Sequence, residues 1–233
     1  TAYAISLGLV GSERCIRDST LTHRRTHLVS ANWKLAVENY NECYHCPNVH
    51  KSFTKGVVSP GSYRITGRGQ TIRHSAEAPA STGYSLAEGG QPYESFFVFP
   101  VSSIQCYPGE VLNTFRWVPL AVDRTLLIRE WWFDGDTPTA EQDEIIDLDW
   151  RTTVSEDFSI LDSVQRGLRS RGYVPGPLIE RPDAVATVHS AAVSRYETRS
   201  PMHTGAGAPD RACLLYTSPR PPDRGCSRMP SSA

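Results

Sequence analysis

Four apolar runs in the middle of the chain constrain its fold more than any other feature. Each run is short and is bounded by turn residues, and Pro108-Gly109 separates two of them. The runs occupy residues 96–99, 103–107, 111–118 and 125–133. Their spacing predicts antiparallel strands joined by short connections, and residues 70–74 predict one more strand.

Helical periodicity flanks these strands. Residues 31–44 place Trp33, Val37 and Tyr40 on one face, with Asn32 as the predicted N-cap. Residues 138–168 predict a long helix with an apolar stripe, and residues 184–196 predict a further helix. The stripe consists of Val154, Phe158, Leu161, Val164 and Leu168. The order helix, strands, long helix predicts an α+β domain with an antiparallel sheet.

Composition excludes several classes of protein. The 233 residues carry a net charge of −1, and their basic residues are scattered, which argues against a nucleic-acid binder. No apolar run approaches the roughly 18 residues of a membrane span, and no signal peptide is recognisable. Six cysteines are too few for a disulfide scaffold. We therefore predict a cytoplasmic protein whose Cys43, Cys46 and Cys106 are reduced, the first two as small buried apolar residues.

The two ends differ in character from the middle. Residues 213–218 read CLLYTS, which is one translation of a transposase-end adapter used to build sequencing libraries. Residues 15–19 read CIRDS, which is a translation of the same adapter on the opposite strand. We therefore expect residues 1–19 and 213–233 to be non-native, and residues 20–212 to form one domain.

The chemistry lies in the segment ENYNECYHCPNVH, residues 38–50. His45 and His50 stand at a helix end beside acidic residues, and two imidazoles with one carboxylate form a facial triad that suits Fe(II). Two other interpretations remain open from the residues alone. Cys43 and Cys46 could form a redox or zinc pair, and the histidines could be ordinary polar residues.

The pattern N-W-K-x₃-E-N-x₂-E-x-Y-H-x₄-H resembles the catalytic domain of Rieske non-haem iron oxygenases, and the resemblance continues through SEDF at 155–158. It implies a helix-grip fold, in which a curled antiparallel β-sheet wraps on a long C-terminal helix. It further implies that His45, His50 and Asp157 hold Fe(II), with Glu156 as the adjacent alternative. An acid at Glu42 would relay electrons to the iron, and Asn39 would lie near it.

The resemblance also implies partners. The family carries a Rieske [2Fe-2S] cluster in a domain with C-x-H and C-x-x-H pairs, and the second pair is absent from this sequence. Electrons would come from NAD(P)H through a reductase or ferredoxin. The intact protein would be a bacterial homo-oligomer, a trimer, using O₂ and a small-molecule substrate.

The segment YPGEVLNT, residues 107–114, looks most like members that oxidise carnitine, choline or betaines. Aromatic faces hold quaternary ammonium groups, although aromatic residues in strands are also ordinary core residues. The candidates are Tyr93, Phe97, Phe99, Trp117, Trp131 and Trp132. An aromatic-ring dihydroxylase or aryl-ether demethylase is the alternative within the family. A metal-dependent hydrolase and a non-enzymatic ligand-binding domain are alternatives outside it.

Overall fold

The computed structural model describes residues 19–43, 45–68, 70–79, 91–109 and 111–174. The predicted helix at 184–196 and nearly all of both predicted non-native ends lie outside this part of the chain. The strands are β1 (Thr20–Val29), β2 (Arg64–Arg68), β3 (Thr71–Ala76), β4 (Tyr93–Val98), β5 (Ser102–Tyr107), β6 (Val111–Ala121) and β7 (Arg124–Phe133). The helices are α1 (Trp33–Asn41), α2 (Cys46–Val49), α3 (Lys51–Gly56), α4 (Ala140–Asp149) and α5 (Glu156–Leu168).

The strands form one seven-stranded antiparallel sheet in the order β1-β7-β6-β5-β4-β3-β2. Six of them, β2 to β7, follow one another as antiparallel neighbours, and the order of β3 to β7 agrees with the sequence prediction. β1 joins the far edge by pairing with β7. The predicted α+β class with an antiparallel sheet is confirmed. Two strands were not predicted, namely β1 and β2.

Alternation along β6 shows how the sheet builds its core. Val111, Asn113, Phe115 and Trp117 point to the inner face and are buried. Their outward neighbour Arg116 is exposed. Because successive side chains of a strand point to opposite faces, every second residue of β6 points to the inner face. The helices cover that face, and α1 packs against both β6 and α5.

Local signals explain where the helices begin. Asn32 caps α1, since its side-chain oxygen accepts a hydrogen bond from the Lys34 N–H at 3.0 Å, as predicted. Thr139 and Gln142 form a capping box before α4, so the helix begins slightly later than the predicted Pro138.

The predicted long helix is divided rather than regular. A wide π-helical turn, Trp150–Val154, separates α4 from α5. Val154 and Leu161 are buried as the predicted stripe requires, whereas Val164 is exposed. None of the described helices is both long and apolar enough to span a bilayer.

Candidate metal centre

Two histidines meet at the loop that follows α1. His45 directly precedes the short helix α2, and His50 directly follows it. The His50 N–H donates to the Cys46 carbonyl at 2.9 Å, so this one helical turn sets the distance between the two imidazoles. Their Nε2 atoms lie 3.0 Å apart. The two histidines, five residues apart in the sequence, therefore bring their Nε2 atoms together because one helical turn separates them.

Asp157 reaches the same point from the first turn of α5. Its Oδ1 atom lies 3.1 Å from His50 Nε2 and 3.6 Å from His45 Nε2. One ligand-type atom from each of the three residues lies within 4.8 Å of the others. His50 is buried, and His45 and Asp157 are half-buried. Residues more than a hundred positions apart thus form one compact group of donor atoms.

Two further carboxylates contact the other side of the imidazoles. Glu42 Oε1 lies 2.6 Å from His45 Nδ1, and Glu156 Oε2 lies 2.8 Å from His50 Nδ1. A carboxylate accepts hydrogen bonds, so each Nδ1 carries a proton and each Nε2 presents a lone pair inward in the neutral ring. The adjacent acids Glu156 and Asp157 therefore lie in two different places, one behind His50 and one facing both rings.

The charge balance of this group favours a cation. Burial lowers the pKa of His50, but the hydrogen bonds and negative charges of Asp157 and Glu156 outweigh burial and raise it. Two inward lone pairs facing a carboxylate repel one another unless a proton or a metal lies between them. Metal-binding histidines usually donate their other N–H to a carboxylate, as both do here. The residues present thus fit a mononuclear metal, and two imidazoles with one carboxylate match the set that holds Fe(II).

The prediction of reduced thiols is wrong for one pair. Cys43 and Cys46 form a disulfide, and only Cys46 of the two is fully buried. Their Cα atoms lie 5.0 Å apart because the chain turns at this point, and that distance is within the range that a disulfide can bridge. Cys106 is buried and forms no disulfide among the described residues, which agrees with the prediction of a reduced thiol.

The predicted aromatic residues fall into separate groups. Phe97 and Trp117 lie together on the inner face, with ring centroids 6.2 Å apart, and Phe99 packs at the margin of the same core. Tyr93 belongs to a second cluster around Phe53. Trp131 is wholly buried, and its Nε1 donates to Asp149 at 3.0 Å. Trp132 packs with the outer-face residues Cys106 and Leu112.

The sequence placed Tyr40 on the apolar face of the predicted helix and gave it no role in the candidate site. Its ring centroid lies 4.9 Å from that of Trp117 and 5.3 Å from that of Phe115. Its hydroxyl bonds Ser95 Oγ at 2.5 Å, and burial raises its pKa, so it stays neutral. Its position two residues before Glu42 was the available signal. Asn39 is half-buried and makes no hydrogen bond to the three converging residues within the described structure, and its role near the iron stays a prediction.

Comparison with known proteins assigns the chain to a family. The chain matches the family described as ring hydroxylating alpha subunit (catalytic domain) over residues 16–198. That match covers well over half of the chain. The chain belongs to this family.

Two relatives of the chain are monooxygenase oxygenase subunits by name. The carnitine monooxygenase oxygenase subunit of Escherichia coli K12 is 30% identical over 173 residues, which is 72% of this chain and 46% of that protein. The glycine betaine monooxygenase oxygenase subunit of Chromohalobacter salexigens is 24% identical, over 63% of this chain and 43% of that protein. The chain thus spans less than half the length of these relatives.

Solved structures agree with the sequence matches. A quaternary ammonium Rieske monooxygenase described in connection with carnitine oxidation aligns with a TM-score of 0.64 at 28% identity, over 69% of this chain and 44% of that chain. Dicamba monooxygenase aligns with a TM-score of 0.57 at 14% identity, over 80% of this chain and 62% of that chain, which shows the shared fold alone. The open antiparallel sheet is therefore that of Rieske oxygenase catalytic domains.

Proposed function

We propose that His45, His50 and Asp157 hold one Fe(II) ion, and that the chain is the catalytic domain of an oxygenase that hydroxylates a C–H bond. The observation that carries this proposal is the convergence of both Nε2 atoms and Asp157 Oδ1. These three residues would each supply one ligand atom to the ion, and a bound Fe(II) would supply the reductive activation of O₂.

The surrounding residues have distinct tasks in this proposal. Glu42 and Glu156 hold the imidazoles by their Nδ1–H groups, which fixes the tautomer and aims Nε2 inward. Glu42 keeps 24% of its side-chain surface exposed, so it also reaches the outside of the domain. We therefore assign Glu42 the additional task of connecting the centre to an electron donor through hydrogen bonds.

The donor is a Rieske [2Fe-2S] cluster outside the 233 residues, reduced by NAD(P)H through a reductase or ferredoxin. One relative's structure is described in terms of inter-subunit electron transfer. That description supports an assembly in which the cluster of one subunit, in a homotrimer, serves the iron of its neighbour. Glu42 contacts His45 and remains partly exposed, so its side chain can face such a cluster.

The substrate class that we propose is a quaternary ammonium compound. Relatives named for carnitine and glycine betaine support it. Aromatic rings attract cations of this kind, and the rings of Tyr40 and Trp117 contact each other on the inner face of the sheet. The reaction consumes the substrate, O₂, two electrons and two protons, and it yields a hydroxylated substrate and water. When the carbon hydroxylated is attached to nitrogen, the C–N bond breaks to release an aldehyde, a tertiary amine and a proton.

Anaerobic titration of the purified chain with Fe(II) tests the metal site. We expect one ion per chain, and we expect His45→Ala to abolish tight binding while circular dichroism shows an unchanged fold. His23→Ala is the matched control, because His23 lies on β1 away from the triad. Tight binding by the His45 variant would contradict the ligand assignment.

Nitric oxide, which binds ferrous centres in the place of O₂, tests the substrate class. We expect γ-butyrobetaine to change the electron paramagnetic resonance spectrum of the nitrosyl complex. Its neutral analogue, with carbon in place of nitrogen, should change that spectrum much less. Equal effects of both compounds would contradict recognition of the positive charge.

A further inference from the structure

The Cys43–Cys46 disulfide encloses one of the proposed metal ligands. The two cysteines are three residues apart in the chain, and His45 lies between them. Glu42, whose Oε1 atom lies 2.6 Å from His45 Nδ1, directly precedes Cys43. The disulfide therefore closes a four-residue loop that carries one ligand of the proposed centre and adjoins the acid that orients this ligand.

The loop has only a weak hydrogen bond across it besides the disulfide. Helix α1 ends at Asn41, and the backbone of Glu42 is already extended. Across the loop, the Cys46 N–H donates to the Cys43 carbonyl at 3.2 Å. That distance is longer than the usual value of about 2.9–3.0 Å for an N–H donor. The disulfide is therefore the stronger of these two constraints on the position of His45.

The second histidine is held by other contacts. The His50 N–H donates to the Cys46 carbonyl at 2.9 Å, and the His50 carbonyl accepts the Thr54 N–H at 2.9 Å. Glu156 contacts His50 Nδ1 at 2.8 Å. Breaking the disulfide would leave these contacts in place. It would therefore loosen the imidazole of His45 and leave that of His50 in position.

The two half-cystines differ in their access to solvent. Cys43 is half-buried, whereas Cys46 is 6% exposed. The C-x-x-C spacing is typical of disulfides that take part in redox reactions. Thiol–disulfide exchange depends on access to the sulfur that is attacked. The Sγ atom of Cys43 is therefore the one that a thiolate from outside reaches first.

We propose that this disulfide is a redox switch for the metal centre, an inference that rests on the proposed function. A thiolate of an external dithiol attacks the Sγ of Cys43, the S–S bond breaks, and Cys46 leaves as a thiolate that takes up a proton. The second thiol of the reductant then displaces Cys43 and becomes part of a new disulfide, so two electrons and two protons pass to the pair. Reduction frees the loop, and the chain then binds metal more weakly. The reverse exchange restores the metal-binding form.

Metal titration of the two redox forms tests the switch. One sample of the purified chain keeps the disulfide. The other is reduced with dithiothreitol, which anaerobic gel filtration then removes so that it cannot bind metal. Mass spectrometry of the alkylated tryptic peptide, residues 35–51, establishes the redox state of each sample. Loss of a contact that orients a metal ligand costs about 10- to 100-fold in affinity. Because Glu42 still contacts His45 after reduction, we expect Co(II) to bind about 10-fold more weakly to the reduced chain.

Two variants locate the effect. The double variant Cys43→Ser with Cys46→Ser should bind Co(II) as weakly as the reduced wild type, with or without dithiothreitol treatment. Cys106→Ala is the matched control, because Cys106 packs with Leu112 and forms no disulfide among the described residues. It should keep the full difference between the redox forms. The comparison of the two wild-type samples involves no substitution, so it stands even if the double variant does not fold.

The outcomes separate the switch from the metal centre on which it rests. Equal Co(II) affinities of the two forms, a disulfide that dithiothreitol does not reduce, or loss of the fold on reduction by circular dichroism would overturn the switch alone. Tighter binding by the reduced chain, with the near-ultraviolet absorption of cobalt–thiolate bonds, would also overturn it, because the cysteines would then be ligands. An oxidised chain that binds no Co(II) would overturn the metal centre, and the switch with it.

Discussion

The two adjacent acids at the start of α5 give the sharpest test of the metal centre. Asp157→Asn removes a charge whose oxygen faces both Nε2 atoms, at 3.1 and 3.6 Å. Glu156→Gln removes a charge that contacts only His50 Nδ1, and the amide oxygen of Gln can still accept that N–H. The two variants change net charge equally at neighbouring positions, so they separate a ligand from a residue that orients a ligand.

The structure sets the expected magnitudes. Residues that orient a metal ligand typically change metal affinity by about 10- to 100-fold. Glu156 keeps a third of its side-chain surface exposed, and solvent screens its charge. We therefore expect a loss near the lower limit, about 10-fold, for Glu156→Gln. Asp157 is a direct ligand in the proposed centre, so we expect Asp157→Asn to lose more than about 100-fold in metal affinity.

Anaerobic titration with Co(II) measures both losses, because its visible absorption reports the ligand set without oxidation. Glu144→Gln, an exposed acid on α4, controls for the change in net charge and should bind like the wild type. A larger loss for Glu156→Gln than for Asp157→Asn would exchange the two roles. Wild-type affinity in both variants would refute the metal centre itself.

Three further results are expected. In the intact protein, Glu42→Gln should retain Fe(II) within about 10-fold but lose substrate turnover, because it keeps a hydrogen-bonding group without the charge. Burial lowers the pKa of His74 from 6.5 to about 4, so the stability that its neutral form contributes is complete above pH 6.5 and is lost as pH falls toward 4. Wild type should lose about 3 kcal/mol by pH 4 through this residue, measured by urea unfolding against His74→Gln. Asp149→Asn should cost about 3–5 kcal/mol of unfolding free energy, because it leaves Arg129 buried without its anion.

Each of these results has its own control. Turnover by Glu42→Gln at the wild-type rate would contradict electron transfer through this residue. An identical pH dependence of unfolding in wild type and His74→Gln would show that His74 does not titrate between these pH values. Asp143→Asn lies on α4 and is exposed, so it should leave stability nearly unchanged.

The strands that sequence could predict are those whose burial follows a simple pattern. The strands β4 to β7 are apolar on the inner face and end at turn residues, so their positions were predictable. β1 reads TLTHRRTHLV and lies at a sheet edge, where only one neighbour, β7, pairs with it. Its side chains are mostly exposed or half-buried. No apolar alternation marks such a strand, because its position depends on pairing with a partner about a hundred residues away.

The candidate site also combines features that the local sequence shows with features that depend on distant contacts. The spacing of His45 and His50 is local, and a motif can show it. The residues that contact the imidazoles from α5 are distant in the sequence, and Glu156 could be named only as an alternative to Asp157 because the two acids are adjacent. Their separation into two roles depends on the direction in which α5 presents each side chain.

The wide turn between α4 and α5 sets the directions in which two aspartates on this helical segment point. Asp149 points inward to Arg129, and Asp157 points to the histidines. Eight residues of regular α-helix would rotate their directions about 80° apart. The Ser155 N–H bonds the Trp150 carbonyl five residues back, so the π-helical turn takes up one additional residue and the two directions differ by only about 20°. A regular helix over residues 138–168 would therefore turn Asp157 away from the imidazoles, and the irregularity at Trp150–Val154 is what allows the triad to form.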